Sequence, residues 1–516
     1  MSAQATFDER HAERGSTFFA NMLASGPAPL VLVACGGLSV GFFLWYWVVS
    51  HGAGTALSSE TVLVTGLVAG VAGTFASWYA YSRYFARRAG IPIVAALRWD
   101  AISWAMLSVY LVSTVLPIAF GSPTRIAFIA FSLWALVKVL VAARFVHTVR
   151  DVLTTYVVTR ISIIVIAELA SVTIGQRPGQ HFAASQNPLL AVWGRWDAVH
   201  YLDIARRGYY GTDMAFFPLY PLLTRIAGGA IGNYLVGGLL ISNVALFFGL
   251  LFFYKLVEHQ FNRAIAHRAI FYISIFPTAI FFSAVYTEAL FFALTVASFY
   301  YIREHKWIAA GLLGALAALT RVEGILLAVP FAIEAVAPNG FANWRMPSFT
   351  LERIVRILIG IALFPAGLVA YMTVLWVLRG DPLYFSHVQI HWNRHLAPPW
   401  VSVWHSVHLM FVTHTPLTVS GQLIELAFTA LMIATLVAGF SRLRPSFAAY
   451  MLLSILVPMC TSSLMSMPRF ALVLFPMFVL FAIWGNRAWI NNAIVAFSLP
   501  LLGLFTVLFA DWYWVA

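Results

Sequence analysis

The chain has 516 residues, of which 61% are hydrophobic, 16% aromatic and only 10% charged, with a mean hydropathy of +0.85. Soluble domains carry about 25% charged residues, so this composition excludes a soluble or disordered chain and predicts an all-α polytopic membrane protein. The net charge of +12 reads as the positive-inside bias of cytoplasmic loops, and no nucleic-acid partner is expected.

Residues 1–27 mix both charge signs before a long apolar run, without a short apolar core and small-residue cleavage site. They predict a retained first span rather than a signal peptide. A span needs about 20 apolar residues. Candidate spans follow at 28–50, 61–83, 101–120, 124–146, 154–174, 232–254, 268–286, 288–302, 307–320, 324–337, 355–378, 420–440, 446–464, 470–485 and 489–510. Cys35 and Cys460 lie inside apolar runs and fit neither a disulfide framework nor a zinc site. Lysine occurs only at Lys138, Lys255 and Lys306, so the cations are nearly all arginine.

With the N-terminus inside, the basic groups fall on the cytoplasmic side. They are Arg83, Arg87, Arg88 and Arg98; Arg144, Arg150 and Arg160; Lys255, Arg263 and Arg268; Arg303 and Lys306; Arg345, Arg353 and Arg356; Arg442 and Arg444; and Arg487. Two long segments, 175–231 and 379–419, then fall outside. Both are too rich in aromatics to be disordered, and they predict structured exoplasmic loops. Glu168 and Lys138 stand in apolar surroundings and pair with each other in the simplest reading.

In the first outer segment, Asp197, His200, Tyr201 and Ile204 recur at spacings of three and four, one face of a short helix, with Asp203 off that face. A carboxylate among Trp193, Trp196 and Tyr201, two residues from Arg195, is partly desolvated and suited to accept a proton. The alternative is an interfacial helix with an aromatic belt. The second outer segment holds His387, His391, His395, His405, His408 and His414. If helical, the first three share one face. Zinc binding, hydrogen bonding to a ligand with Arg394, and ordinary interfacial histidines all remain open there. No HExxH motif is present, and a divalent metal lacks sequence support. Arg469 sits at the end of a span and Arg321 between two apolar runs near Glu323. Charges at such depth face a cavity or a partner. For Arg469 the alternative is snorkelling to headgroups, and for Arg321 a structural pair with Glu323 or Glu288.

The run Arg195-Trp196-Asp197-Ala198-Val199-His200-Tyr201, then Gly208-Tyr209 and Phe216-Phe217-Pro218-Leu219-Tyr220-Pro221, resembles the PIG-V-type mannosyltransferases. These are the second mannosyltransferases of glycosylphosphatidylinositol assembly and their bacterial relatives, within the GT-C glycosyltransferases. Tyr286-Thr287-Glu288-Ala289-Leu290-Phe291-Phe292, Thr320-Arg321-Val322-Glu323-Gly324, Gly380-Asp381-Pro382 to Trp392, and Pro468-Arg469-Phe470 continue the likeness in order over 150–485. The resemblance implies a GT-C-like multi-span core at 151–516. Residues 1–150 form a four-span N-terminal extension that the family pattern lacks; its even span number keeps the catalytic loop outside.

It further implies an inverting transfer of a sugar, mannose by family, from a polyprenyl-phosphate donor to a lipid-linked or glycan hydroxyl on the exoplasmic face. Asp197 matches the family's loop aspartate and is the expected base. Arg469, Arg321, His391 and Arg394 are expected at the donor phosphate. Arg195, Trp196, His200, Tyr201, Asp203, Glu288 and Glu323 are expected to bind acceptor or organise the loop, with Asp203 the fallback base. No cofactor is required, since one general base suffices when phosphate leaves. A bacterial plasma membrane suits the scarce lysines. The competing readings are a lipid or glycolipid transporter or flippase and an inactive scaffold. Transporters commonly show repeated halves, which this sequence lacks.

Overall fold

The computed structural model describes residues 146–174, 188–337 and 350–515. The first three expected spans, nearly all of the fourth, Cys35, Lys138 and almost all of the N-terminal extension lie outside these residues. The chain divides into two compact units, and the described residues fall almost wholly in the one formed by Asp151–Gly229 and Asn233–Ala516. Among the described residues there are helices and no strands, as expected of an all-α polytopic membrane protein.

Among the described residues, five helices are long and apolar enough to cross a membrane. They are α1 (His147–Thr173), α4 (Tyr234–Gln260), α9 (Leu351–Arg379), α11 (Pro416–Gly439) and α15 (Ala488–Ala510). Between them lie α2 (Asp197–Arg207), α3 (Leu219–Ile231), α5 (Arg263–Ser274), α6 (Glu288–Arg303), α7 (Trp307–Ala318), α8 (Ala328–Val336), α10 (Pro399–Val412), α12 (Pro445–Met459), α13 (Met467–Val473) and α14 (Phe475–Trp484). Local chemistry sets the boundaries. Asn233 caps α4 by accepting from Leu235 and Val236, and Asn262 caps α5 by accepting from Ile265. Proline occupies the first turn of α10, α11 and α12. Gly380, at φ 71°, ends α9 in the left-handed conformation.

Several expected spans are broken. The stretch 268–286 is not one helix: α5 stops at Ser274, Phe276-Pro277 follows, and a 3₁₀ turn covers Ala279–Phe282. Proline disfavours helical backbone at the preceding residue and offers no N–H. The expected span 470–485 is the pair α13 and α14, bent by 71° at Leu474 before Phe475-Pro476. The 324–337 stretch is a 3₁₀ helix, Val322–Leu327, leading into the short α8.

Arg160 corrects the orientation pattern. It lies within α1, 3% exposed, rather than in a loop. It donates to the carbonyls of Ser274 at 2.8 Å and Ala279 at 2.9 Å, and to Ser283 Oγ at 3.1 Å. These carbonyls border the break after α5. A bilayer offers no water to bond them, so an internal donor is required. Glu168 accepts from Trp193 Nε1 at 2.8 Å.

Close approach of helices fixes the frame. Cβ atoms added at Gly311 and Gly314 of α7 would lie 2.2 Å from Gly360 O and 2.0 Å from the Phe364 ring on α9. Small residues at such contacts let helix backbones pack by dispersion, which stands in for the hydrophobic effect inside a bilayer. Phe253, Phe299, Phe447 and Tyr450 pack around Phe475 with ring centroids 4.9–5.8 Å apart, tying α14 to α4, α6 and α12.

Candidate active site

Breaks in the apolar helices bring charged side chains together. Asp197 opens α2, Glu288 opens α6, and Arg321 and Glu323 stand at the turn after α7. Arg469 is the third residue of α13, whose N-terminus is set by Ser466 at φ 77°. Each is placed where regular helix starts or stops.

Arg469 joins two carboxylates. Its Nη1 donates to Asp197 Oδ2 at 2.7 Å and its Nε to Glu288 Oε1 at 2.7 Å. Arg321 Nη1 reaches the same Glu288 oxygen at 3.2 Å, and its Nε lies 3.6 Å from Glu323 Oε2. Rings face both cations: Tyr286 and Phe281 lie 4.8 and 5.1 Å from Arg469 Cζ, and Phe470 5.0 Å from Arg321 Cζ. Glu288 is fully buried and its side chain exposes 0%, against 7% for Arg469, 13% for Arg321, 12% for Glu323 and 25% for Asp197. Asp197 is therefore the group of this cluster most open to a ligand. The buried members hold one another as counter-ions, which desolvation makes obligatory.

This geometry decides between the readings of the two arginines. Arg469 is buried in an ion pair rather than snorkelling. Arg321 does pair with both Glu288 and Glu323. The Arg469 guanidinium carries five N–H groups, more than its carboxylate contacts consume, so it retains donors for an anion.

The expected loop residues surround Asp197 unevenly. His200 Nδ1 lies 2.8 Å from Asp213 Oδ1, and its ring stacks on Phe216 at 4.6 Å, with Trp392 of the second outer segment 6.1 Å away. Tyr201 is buried, its hydroxyl 3.4 Å from Thr287 Oγ1. Burial, with Glu288 and Asp197 nearby, pushes the Tyr201 hydroxyl well up. Asp203 turns away and pairs with Arg207 at 2.8 Å on the helix surface, as its position off the common face predicts. Arg195 is 1% exposed and donates to the carbonyls of Phe509 at 3.3 Å and Ala510. Its role here is to join the loop to the end of α15.

The second outer segment differs from the helical expectation. Tyr384–His387 is a single turn, Val388–Trp392 is a 3₁₀ helix, and His395 lies beyond it. His387, His391 and His395 thus share no helical face, because Asn393 at φ 54° ends the turn. His387 instead bonds Asp381 at 2.7 Å and holds that carboxyl below its ordinary range. His391 bonds the Val388 carbonyl at 3.0 Å. Among the described residues, no group of three or more His, Cys, Asp or Glu side chains is arranged to hold a metal ion. Arg394 donates to the Met465 carbonyl. Its guanidinium is pushed down by burial and by Arg469, with Asp197 opposing, so it stands beside the cluster.

Sequence reasoning missed Glu425. It lies within the apolar α11 and accepts from the backbone N–H of Ser466 and Met467, both at 2.9 Å. It thereby caps the helix that presents Arg469. A lone carboxylate in an apolar helix was its only signal in the sequence.

A family model described as Mannosyltransferase (PIG-V) matches residues 134–359. The matched residues include Asp197, Glu288, Arg321 and Glu323, while Arg469 and Arg394 lie beyond them and are brought in by the fold. Two curated relatives, each named GPI mannosyltransferase 2, come from Cryptococcus neoformans var. neoformans serotype D, strains JEC21 and B-3501A. Each is 33% identical over 84 residues, 14% of this chain and 20% of the relative. The chain thus spans about one fifth of the length of the curated relatives it matches. No solved structure matches the chain significantly.

Proposed function

We propose that the chain is a membrane mannosyltransferase that uses a polyprenyl-phosphate sugar and works at the exoplasmic face. The observation that carries this reading is the Asp197–Arg469 pair at 2.7 Å, backed by the buried Glu288. Asp197 is the base. It takes the proton of the acceptor hydroxyl as that oxygen attacks the anomeric carbon from the side opposite the phosphate. The bond from the anomeric carbon to the phosphate oxygen breaks, and the phosphate leaves with the electron pair. Inversion follows from this single displacement. Arg469 and Arg321 offset the charge that builds on the departing phosphate. Glu288 keeps both guanidiniums fixed, so little reorganisation is needed at the moment of reaction.

The match of residues 134–359 to the PIG-V mannosyltransferase model supports the sugar and the transferase chemistry. The test is purified protein in lipid vesicles with a polyprenyl-phosphate mannose donor, mixed glycolipid acceptors and mass analysis of products. A product heavier by one hexose is expected from this donor and not from nucleotide-activated mannose. Transfer from the nucleotide sugar alone would remove the lipid-donor assignment. Movement of glycolipid across the vesicle without new glycosidic bonds would favour a flippase.

A further inference from the structure

We propose that the segment Asp511–Val515, which follows α15, is a positioning element of the active site: it clamps the strained turn at Trp196 and thereby aims Asp197 at Arg469. For its activity readout this rests on the transferase reading above.

Trp196 sits at φ 57°, ψ −127°. A bulky L residue holds such a conformation only where its surroundings over-determine it, at a cost of about 1–3 kcal/mol. The surroundings here are two indoles of that segment. The Trp196 ring meets Trp512 edge-on at 6.0 Å and Trp514 at 5.5 Å. Trp512 is itself in the left-handed region, at φ 69°. Arg195, one residue earlier, lies 4.4 Å over the Trp512 ring while it donates to the last carbonyls of α15. On the other side the Tyr286 hydroxyl donates to the Arg195 carbonyl at 3.1 Å. The turn is thus gripped from both faces.

Asp197 is the next residue and the first of α2. Its carboxylate direction therefore depends on the dihedrals of Trp196. The same Trp514 ring lies 6.0 Å from Arg469 Cζ. One indole thus contacts the residue that aims the carboxylate and the cation that receives it. A base displaced by about 1 Å can lose 100-fold in rate. Removing this indole should act on the chemical step rather than on donor capture.

The experiment compares Trp514→Ala and Trp514→Phe in the full chain in lipid vesicles, with kcat and donor KM measured per folded molecule. Trp514→Ala is expected to lower kcat about 10- to 100-fold with donor KM changed less than about two-fold, and Trp514→Phe to restore most of the loss. A wild-type kcat in Trp514→Ala, or a phenylalanine variant no better than alanine, overturns the proposal. An arm independent of activity uses Asp197→Cys with Cys35→Ser and Cys460→Ser. Its alkylation by an anionic maleimide should accelerate severalfold once Trp514→Ala is added; equal rates overturn the positioning role. If the wild-type protein transfers no sugar, the transferase reading fails, while the alkylation rates still decide the positioning.

Discussion

Glu288 and Arg469 show how much of the site is electrostatic necessity. A fully buried carboxylate facing two guanidiniums is costly unless all three are present, and removing one partner of such a group destabilises by about 3–5 kcal/mol. Arg469→Lys is therefore the more informative change, because it keeps the charge and discards the fork that reaches both carboxylates. We expect donor KM to rise about 10-fold, equivalent to about 1.4 kcal/mol, with acceptor KM nearly constant. Steady-state kinetics with each substrate varied in turn checks this, and an unchanged donor KM removes Arg469 from the phosphate. Asp197, Arg321, Glu323 and Arg469 were each legible as isolated charges in apolar or aromatic sequence. Their mutual contact was not, since 272 residues separate Asp197 from Arg469 and no periodicity links them. Glu425 escaped because its partners are backbone N–H groups, which carry no residue signature.

The short and broken helices present the candidate site, and the long ones carry the frame. α1, α4, α9, α11 and α15 were readable as apolar runs of sufficient length. The interruptions at Pro277, Arg321 and Leu474 were not, because an apolar run reads the same whether it is straight or bent. The frame depends on close helix contact. Gly360 of α9 meets the Trp307 carbonyl and the Phe331 ring, at 2.7 and 2.8 Å from an added Cβ. Gly360→Val should lower the unfolding midpoint in detergent markedly, with a loss of about 1–3 kcal/mol or more from overpacking; an unchanged midpoint would show that α7 and α9 separate freely. Away from the site, Glu334 joins Arg303 at 2.7 Å, Arg444 at 3.0 Å and Ser446 at 2.6 Å, tying α6, α8 and α12. Glu334→Ala should destabilise by about 3–5 kcal/mol while the molecules that remain folded transfer sugar at the ordinary rate. A thermal melt paired with a per-molecule rate separates the two effects.

At the scale of the whole molecule, the claim is that one membrane face holds the chemistry. The two segments expected outside do meet: Trp392 lies 5.9 Å from Phe216, and Phe385 lies 5.4 Å from Phe217. The sidedness we propose rests on the arginine pattern, to which Arg160 contributes nothing because it is buried inside α1. A cysteine introduced at Asp203 should react with an impermeant thiol reagent added to intact cells, whereas one at Arg442 should react only after lysis. The reverse pattern would place the site on the cytoplasmic side. The account as a whole stands on Asp197 as the base. Single-turnover transfer from a polyprenyl-phosphate mannose by Asp197→Asn, set beside wild type at equal donor occupancy, is the most direct test. We predict a rate lower by about 10²- to 10⁴-fold in protein that still folds, Glu288 remaining as the counter-ion of Arg469, with donor binding retained; a wild-type rate in that variant would contradict the account.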